Sequence, residues 1–124
     1  MKSKRFIRKG AVISALLFFS LLNAGYAHKL TKELGRVHGS WEVETWYNLP
    51  MGRVIENMRK RGYCESDYPF WIREDGVKML GDFVMVAADL NKYPRGSVVY
   101  TTLGQGLVCD TGEDLSGFDI AVIW

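Results

Sequence analysis

Hydrophobic and polar residues alternate with a period of two over residues 41–48, which predicts a β-strand. After Pro50 the apolar spacing becomes helical, at Met51, Val54, Ile55 and Met58. Proline is favoured in the first turn of a helix, and a glycine such as Gly62 supplies a left-handed stop. The pattern therefore predicts one short helix from about Pro50 to Arg61.

The second half of the chain has the pattern of short strands joined by turns. The dipeptide Asp75-Gly76 is a strong hairpin signal, because both central positions of such a turn need positive φ. The continuous apolar run Phe83–Ala88 predicts a strand buried on both faces, as in a small barrel. Together with the helix, this pattern predicts a mainly β protein, a small barrel of six strands. The strands predicted here are residues 70–74, 77–80, 83–88, 97–102, 107–110 and 118–124.

The first 27 residues have the pattern of a secretory signal peptide. A basic start precedes the apolar run Ala11–Leu22, and small residues stand at Gly25 and Ala27. The run is well short of the roughly 20 residues that span a bilayer, which favours cleavage after Ala27 over an uncleaved anchor. We therefore expect an exported domain over residues 40–124, a linker over residues 28–39, and no membrane span once the signal is removed.

The net charge of +2 resides in the signal peptide, which carries five basic residues and no acidic one. Residues 28–124 hold eleven basic and fourteen acidic residues, a net charge of −3. Nucleic-acid binding draws its affinity from basic side chains that displace phosphate counterions. A mildly acidic domain without a basic stripe argues against nucleic acid as a partner.

Both cysteines, Cys64 and Cys109, lie in the exported part of the chain. An even number of cysteines in an exported protein predicts a disulfide between them, and two buried free thiols are the alternative. Two cysteines and two distant histidines do not form a zinc-binding spacing. The sequence therefore predicts no metal and no cofactor.

Three aspartates adjoin apolar strands, namely Asp89, Asp110 and Asp119. An apolar setting disfavours ionisation, and a carboxylic acid kept protonated near neutral pH is what glycosidic cleavage needs from its general acid. The alternative is ordinary turn chemistry, in which aspartate accepts nearby backbone N–H groups, as Asp110 could do before Thr111-Gly112. If the acids are catalytic, all three carboxyl groups are expected to converge on one cleft.

Four spaced elements occur in order in this region: Ala87-Ala88-Asp89, Tyr93-Pro94-Arg95-Gly96, Asp110-Thr111-Gly112 and Phe118-Asp119-Ile120. Over about Tyr63 to Trp124, the pattern resembles the three-aspartate domain of bacterial cell-wall proteins. The resemblance implies a double-psi β-barrel and kinship with lytic transglycosylases, which cleave peptidoglycan. It also implies a secreted or cell-wall-associated protein whose partner is the peptidoglycan glycan strand.

In those enzymes one aspartate protonates the oxygen between N-acetylmuramic acid and N-acetylglucosamine. The same aspartate then takes a proton from the muramyl C6 hydroxyl, which attacks C1 and closes a 1,6-anhydro ring. The resemblance implies that Asp119 is this acid and base and that Asp110 and Asp89 are its supporting carboxylates. Tyr47, the preferred candidate among aromatics that could stack on sugars, is expected to bind substrate with Thr111 and Gly112.

The loop Glu113–Gly117 departs from the family pattern, because it is short and acidic where family members carry a longer, often lysine-containing loop. A negative loop could displace Asp119 or repel carboxylates of the glycan. The departure favours the runner-up function, a non-catalytic peptidoglycan-binding or wall-remodelling module on the same barrel. A secreted structural domain without glycan contact is the third interpretation.

Overall fold

The computed structural model describes residues 28–112 and 116–124 of the chain. The predicted signal peptide, residues 1–27, lies outside the described residues, as does the part of the acidic loop at residues 113–115. Within the described ranges, no helix is long and apolar enough to cross a membrane.

The described residues form a mainly β fold, as the sequence predicts, with eight strands in one mixed sheet rather than six. The helix occupies Gly52–Lys60, close to its predicted bounds. The elements are β1 (Arg36–His38), β2 (Val43–Tyr47), α1 (Gly52–Lys60), β3 (Phe70–Ile72), β4 (Lys78–Leu80), β5 (Phe83–Ala87), β6 (Val98–Thr101), β7 (Gly104–Asp110) and β8 (Phe118–Ala121).

The segment 28–39 packs against the sheet, so its prediction as a linker is wrong. Strand β1 pairs antiparallel with β2, and Leu30 is buried with its backbone N–H donating to Thr102 Oγ1 at 3.0 Å. The sequence gives little sign of this, because a three-residue strand that buries only Val37 is too short to show a period.

Strand β5 is the centre of the sheet, and its apolar composition explains this position. Residues 84–87 are buried, which confirms the strand predicted from the apolar run. One side of β5 pairs in parallel with β7, which in turn pairs with β6. Its other side pairs antiparallel with β4 near Val84 and with β8 near Val86. A second parallel pair joins β8 to β2, which lies beside β1.

Two groups of buried apolar residues stabilise the sheet. One contains alternate residues of the central strands, including Val84, Val86, Phe118 and Ile120. The other contains Met51 and Met58 together with sheet residues, and it is the group that α1 covers. Because side chains alternate between the faces of a strand, Met85 and Ala121 lie on the face that α1 covers.

Cys64 and Cys109 are both free thiols, so the predicted disulfide is wrong. Cys109 is buried in β7 within the group covered by α1, and burial raises the pKa of its thiol to about 12. Cys64 is exposed, and its Sγ lies 3.3 Å from Ser66 Oγ. The even count could not reveal that one thiol belongs to the core and the other to the surface.

We expect the native protein to label with a thiol reagent at Cys64 alone. Cys109 reacts only after unfolding, because a buried thiol with a raised pKa offers neither access nor thiolate. Mass spectrometry of labelled peptides, without reductant, measures this directly. The assignment fails if the unreduced, denatured protein takes up no label.

Candidate functional site

One row of paired residues crosses four strands and carries two of the three predicted aspartates. On β8, Asp119 pairs with Thr45 of β2 on one side and with Ala87 of β5 on the other. Ala87 also pairs with Asp110 of β7. Directly paired residues project their side chains from the same face of a sheet. We call Thr45, Asp119, Ala87 and Asp110 the aspartate row, in which the small Ala87 separates the two acids.

A β-bulge brings Asp110 onto this face. Val86 pairs with Val108, but Ala87 pairs with Asp110, so Cys109 is an extra residue in β7. A regular ladder would place Cys109 opposite Ala87 and turn the aspartate to the other face. Bulges of this kind redirect side chains and are common beside active sites.

Each acid of the row accepts a hydrogen bond from a hydroxyl group of β2. Thr45 Oγ1 donates to Asp119 Oδ1 at 2.8 Å, and the Tyr47 hydroxyl donates to Asp110 Oδ2 at 3.2 Å. Asp110 Oδ1 also accepts the backbone N–H of Thr111 at 2.8 Å, so this acid makes the turn contact as well. The structure thus brings Tyr47, Asp110 and Asp119 together, with Thr111 and Gly112 exposed beside them.

Burial and charge give the two acids different properties. Partial burial raises the pKa of Asp119, and the negative charge of Asp110 raises it further, against the lowering effect of the Thr45 hydroxyl. Burial and the same Asp110 charge also raise the pKa of Tyr47, which keeps its phenol protonated as a donor. The pair therefore combines an acid biased towards its protonated form with a hydrogen-bonded neighbouring carboxyl.

Asp89 is not part of the row and lies in the turn that follows β5. Its Oδ1 accepts the backbone N–H of Asn91 at 3.0 Å, which is the turn chemistry considered as the alternative role. Asp89 and Gly117 lie two residues along the chain from Ala87 and Asp119, respectively, which form a pair of the β5–β8 ladder. They adjoin a pocket of about 150 Å³, the Asp89 pocket, lined by Glu42, Asp89, Lys92, Tyr93, Ser116 and Gly117.

Two glutamates in or beside β2, Glu42 and Glu44, make specific contacts that the sequence analysis did not predict. Glu44 is fully buried, and its carboxylate accepts the backbone N–H and the hydroxyl of Thr102 at 2.9 and 2.7 Å. Burial raises the pKa of Glu44 despite these bonds. Glu42 accepts the Lys92 ammonium at 2.6 Å and the Tyr93 hydroxyl at 2.7 Å. Neither has a local signal, because the partners lie at least 50 residues away.

Comparison of the chain with protein families, curated proteins and solved structures gives no match. Among residues 28–112 and 116–124, no group of three or more His, Cys, Asp or Glu side chains could hold a metal ion. The chemistry that the aspartate row itself offers is proton transfer, because one of its two acids has a raised pKa.

We expect the free energy of unfolding of the Asp119→Asn variant, relative to that of the unchanged protein, to increase as pH rises. The folded-state pKa of Asp119 is raised above its ordinary value of 3.8, so between these two values the folded state binds more protons than the unfolded state. The free energy of unfolding therefore falls as pH rises through the folded pKa. The asparagine variant lacks this loss, and its amide oxygen can still accept the Thr45 hydroxyl.

Urea denaturation of both proteins between about pH 3 and pH 7 measures the difference. Glu44 also has a raised pKa, which is common to both proteins. Its contribution therefore cancels in the difference between their free energies of unfolding. Parallel stability curves would show that Asp119 titrates alike in the folded and unfolded chains.

Proposed function

We propose that this protein is an exported lytic transglycosylase that cleaves peptidoglycan between N-acetylmuramic acid and N-acetylglucosamine. The observation that carries the proposal is Asp119. This partly buried carboxyl group has a raised pKa, contacts a threonine hydroxyl, and shares one sheet face with a second acid. The order of motifs around the three aspartates supports the same function.

The proposed reaction uses Asp119 twice. Its carboxyl proton goes to the bridging oxygen as the bond from that oxygen to muramyl C1 breaks. The resulting carboxylate then takes the proton of the C6 hydroxyl, whose oxygen forms the new bond to C1. Because the nucleophile belongs to the substrate, the site needs no second carboxylate to deliver water, unlike an ordinary glycosidase.

Asp110 and Tyr47 have supporting roles in this mechanism. The Asp110 charge opposes ionisation of Asp119 and so favours its acid form. The Tyr47 hydroxyl holds one oxygen of Asp110, and the Thr111 N–H holds the other, which fixes the direction of that charge. A fixed charge beside the reacting carboxyl costs no reorganisation during the reaction.

We also propose that the sheet is a double-psi β-barrel. Two parallel pairs, β2 with β8 and β5 with β7, are joined by the antiparallel contact of β8 with β5. One edge of β5 pairs with β4 at the start of the strand and with β8 at its end. Parallel partners that are distant in sequence support this interlocked topology over a simple meander of hairpins.

The second candidate function is a peptidoglycan-binding module without catalysis. The observation that favours it is the sequence of the loop before Asp119, in which the acidic residues Glu113 and Asp114 precede the proposed acid by six and five residues. Such charge would repel the carboxylates of the lactyl and peptide groups of peptidoglycan.

Purified insoluble peptidoglycan tests both candidates in one assay. The enzyme releases soluble muropeptides over time, whereas the binding module sediments with the wall and releases none. Protein denatured by heat provides the blank for release. If the native protein neither releases fragments nor sediments with the wall, both candidates are rejected.

A further inference from the structure

Two exposed aromatic side chains and the half-buried Tyr93 form a shelf beside the Asp89 pocket. Trp41 and Tyr100 are 46% and 51% exposed. The ring of Trp41 lies edge-on to that of Tyr100 at 5.4 Å and stacks on Tyr93 at 6.3 Å. We call Trp41, Tyr93 and Tyr100 the aromatic shelf. Aromatic surface beside a few polar groups is typical of ligand-binding sites.

Neighbouring groups fix Tyr93, the residue on which Trp41 stacks, in place. The Tyr93 ring packs edge-on against the buried Phe118 at 5.1 Å, and its hydroxyl donates to Glu42 Oε2 at 2.7 Å. The Lys92 ammonium binds the same oxygen at 2.6 Å. A surface that is rigid before a ligand arrives loses little conformational entropy on binding.

The shelf adjoins the Asp89 pocket, and the pocket lining includes residues close along the chain to the aspartate row. Tyr93 belongs to the shelf and lines the pocket, and the pocket residues Asp89 and Gly117 lie two residues along the chain from Ala87 and Asp119, respectively. Two residues of extended chain span about 7 Å, so a glycan of several sugars that reaches Asp119 is long enough to reach the pocket and the shelf.

We propose that the aromatic shelf is a sugar-stacking subsite for the same N-acetylated glycan strand, one or more sugars from the bond that is cleaved. A pyranose ring presents C–H groups that pack on aromatic faces, and it presents hydroxyl and acetamido groups that suit the polar lining. Glu42, Asp89 and Lys92 supply acceptors and a donor next to the shelf. This inference rests on the proposed function and assigns it a second point of contact.

Two substitutions of the shelf and one matched control test the subsite. Trp41→Ala and Tyr100→Ala each remove an exposed ring, and Trp71→Ala removes a ring that is 42% exposed on β3, a different edge of the sheet. Calorimetry with tetra-N-acetylchitotetraose and sedimentation with purified peptidoglycan measure binding. We expect each shelf variant to bind about tenfold more weakly and the control to stay within about twofold.

Thermal melting of each variant separates loss of the ring from loss of the fold. If Trp41→Ala does not fold, Tyr100→Ala carries the test, because Tyr100 is the more exposed of the two and its hydroxyl accepts a hydrogen bond from the exposed side chain of Gln105. Weaker binding to either glycan by a folded shelf variant supports the subsite. If the unchanged protein binds peptidoglycan but not tetra-N-acetylchitotetraose, and the shelf variants bind peptidoglycan more weakly, the shelf is assigned to the strand that contains muramic acid.

Three results overturn the proposal: shelf variants that bind like the unchanged protein, a control that loses as much affinity, or an unchanged protein that binds neither glycan. The outcome is separable from that of the enzymatic function. Cleavage with unaltered binding by the variants rejects the subsite alone. Binding that depends on the shelf, without any cleavage, rejects the enzyme and leaves the subsite in place.

Discussion

Asp119→Asn is expected to lower the release of 1,6-anhydromuropeptides by about 10²–10⁴-fold, the usual cost of losing a general acid and base. Asparagine keeps the shape of the side chain and an oxygen that can accept the Thr45 hydroxyl, but it has no dissociable proton. Quantitative chromatography of the products measures the rate. We expect the melting temperature to be unchanged or raised, because an amide avoids the cost of a partly buried charge.

Asp82→Asn is the matched control, because it makes the same chemical change at an exposed aspartate just before β5. It should retain the full rate. A folded Asp119→Asn variant that still releases anhydro products at the normal rate would refute the assignment of Asp119. A variant that loses activity together with its fold would assign Asp119 a structural role.

Gly117→Ala is expected to destabilise the protein by about 3 kcal/mol, which combines backbone strain with overpacking. Gly117 has a φ of 99°, and an added Cβ would lie 2.5 Å from the Val43 carbonyl oxygen. The substitution therefore forces apart the start of the β2–β8 pair, which is the pair that holds Asp119 against Thr45. Chemical denaturation measures the loss.

Gly62→Ala separates the two causes. Gly62 has a similar φ of 101°, but an added Cβ would meet nothing within 4 Å. It should therefore show the backbone strain alone, about 1–2 kcal/mol. Equal losses at the two glycines would mean that the contact of residue 117 with Val43 contributes nothing.

The elements that the sequence predicts well are those whose pattern is local. The apolar run of β5 is typical of a strand buried on both faces, and the spacing of Val54, Ile55 and Met58 is typical of a helix with one face packed on a core. In both cases the pattern of apolar residues is contained within one segment. It can therefore be recognised without knowing which other segments pack against it.

The features that the sequence hides depend on a distant partner. The bulge at Cys109 is a property of the pairing between β7 and β5, yet it decides which face carries Asp110. Glu44 is tolerated in the core because Thr102, 58 residues away, donates to it. Trp41 belongs to the shelf only because Tyr93 and Tyr100 lie beside it. No local period encodes such contacts.

The most direct test of the proposed function is mass spectrometry of the products that the unchanged protein releases from purified peptidoglycan in water enriched in heavy oxygen. Attack by the muramyl C6 hydroxyl uses no water, so the account predicts 1,6-anhydro ends, lighter than the hydrolysed ends by one water and free of heavy oxygen. Products with reducing ends that carry the heavy oxygen would contradict it, because water and not the substrate would then be the nucleophile.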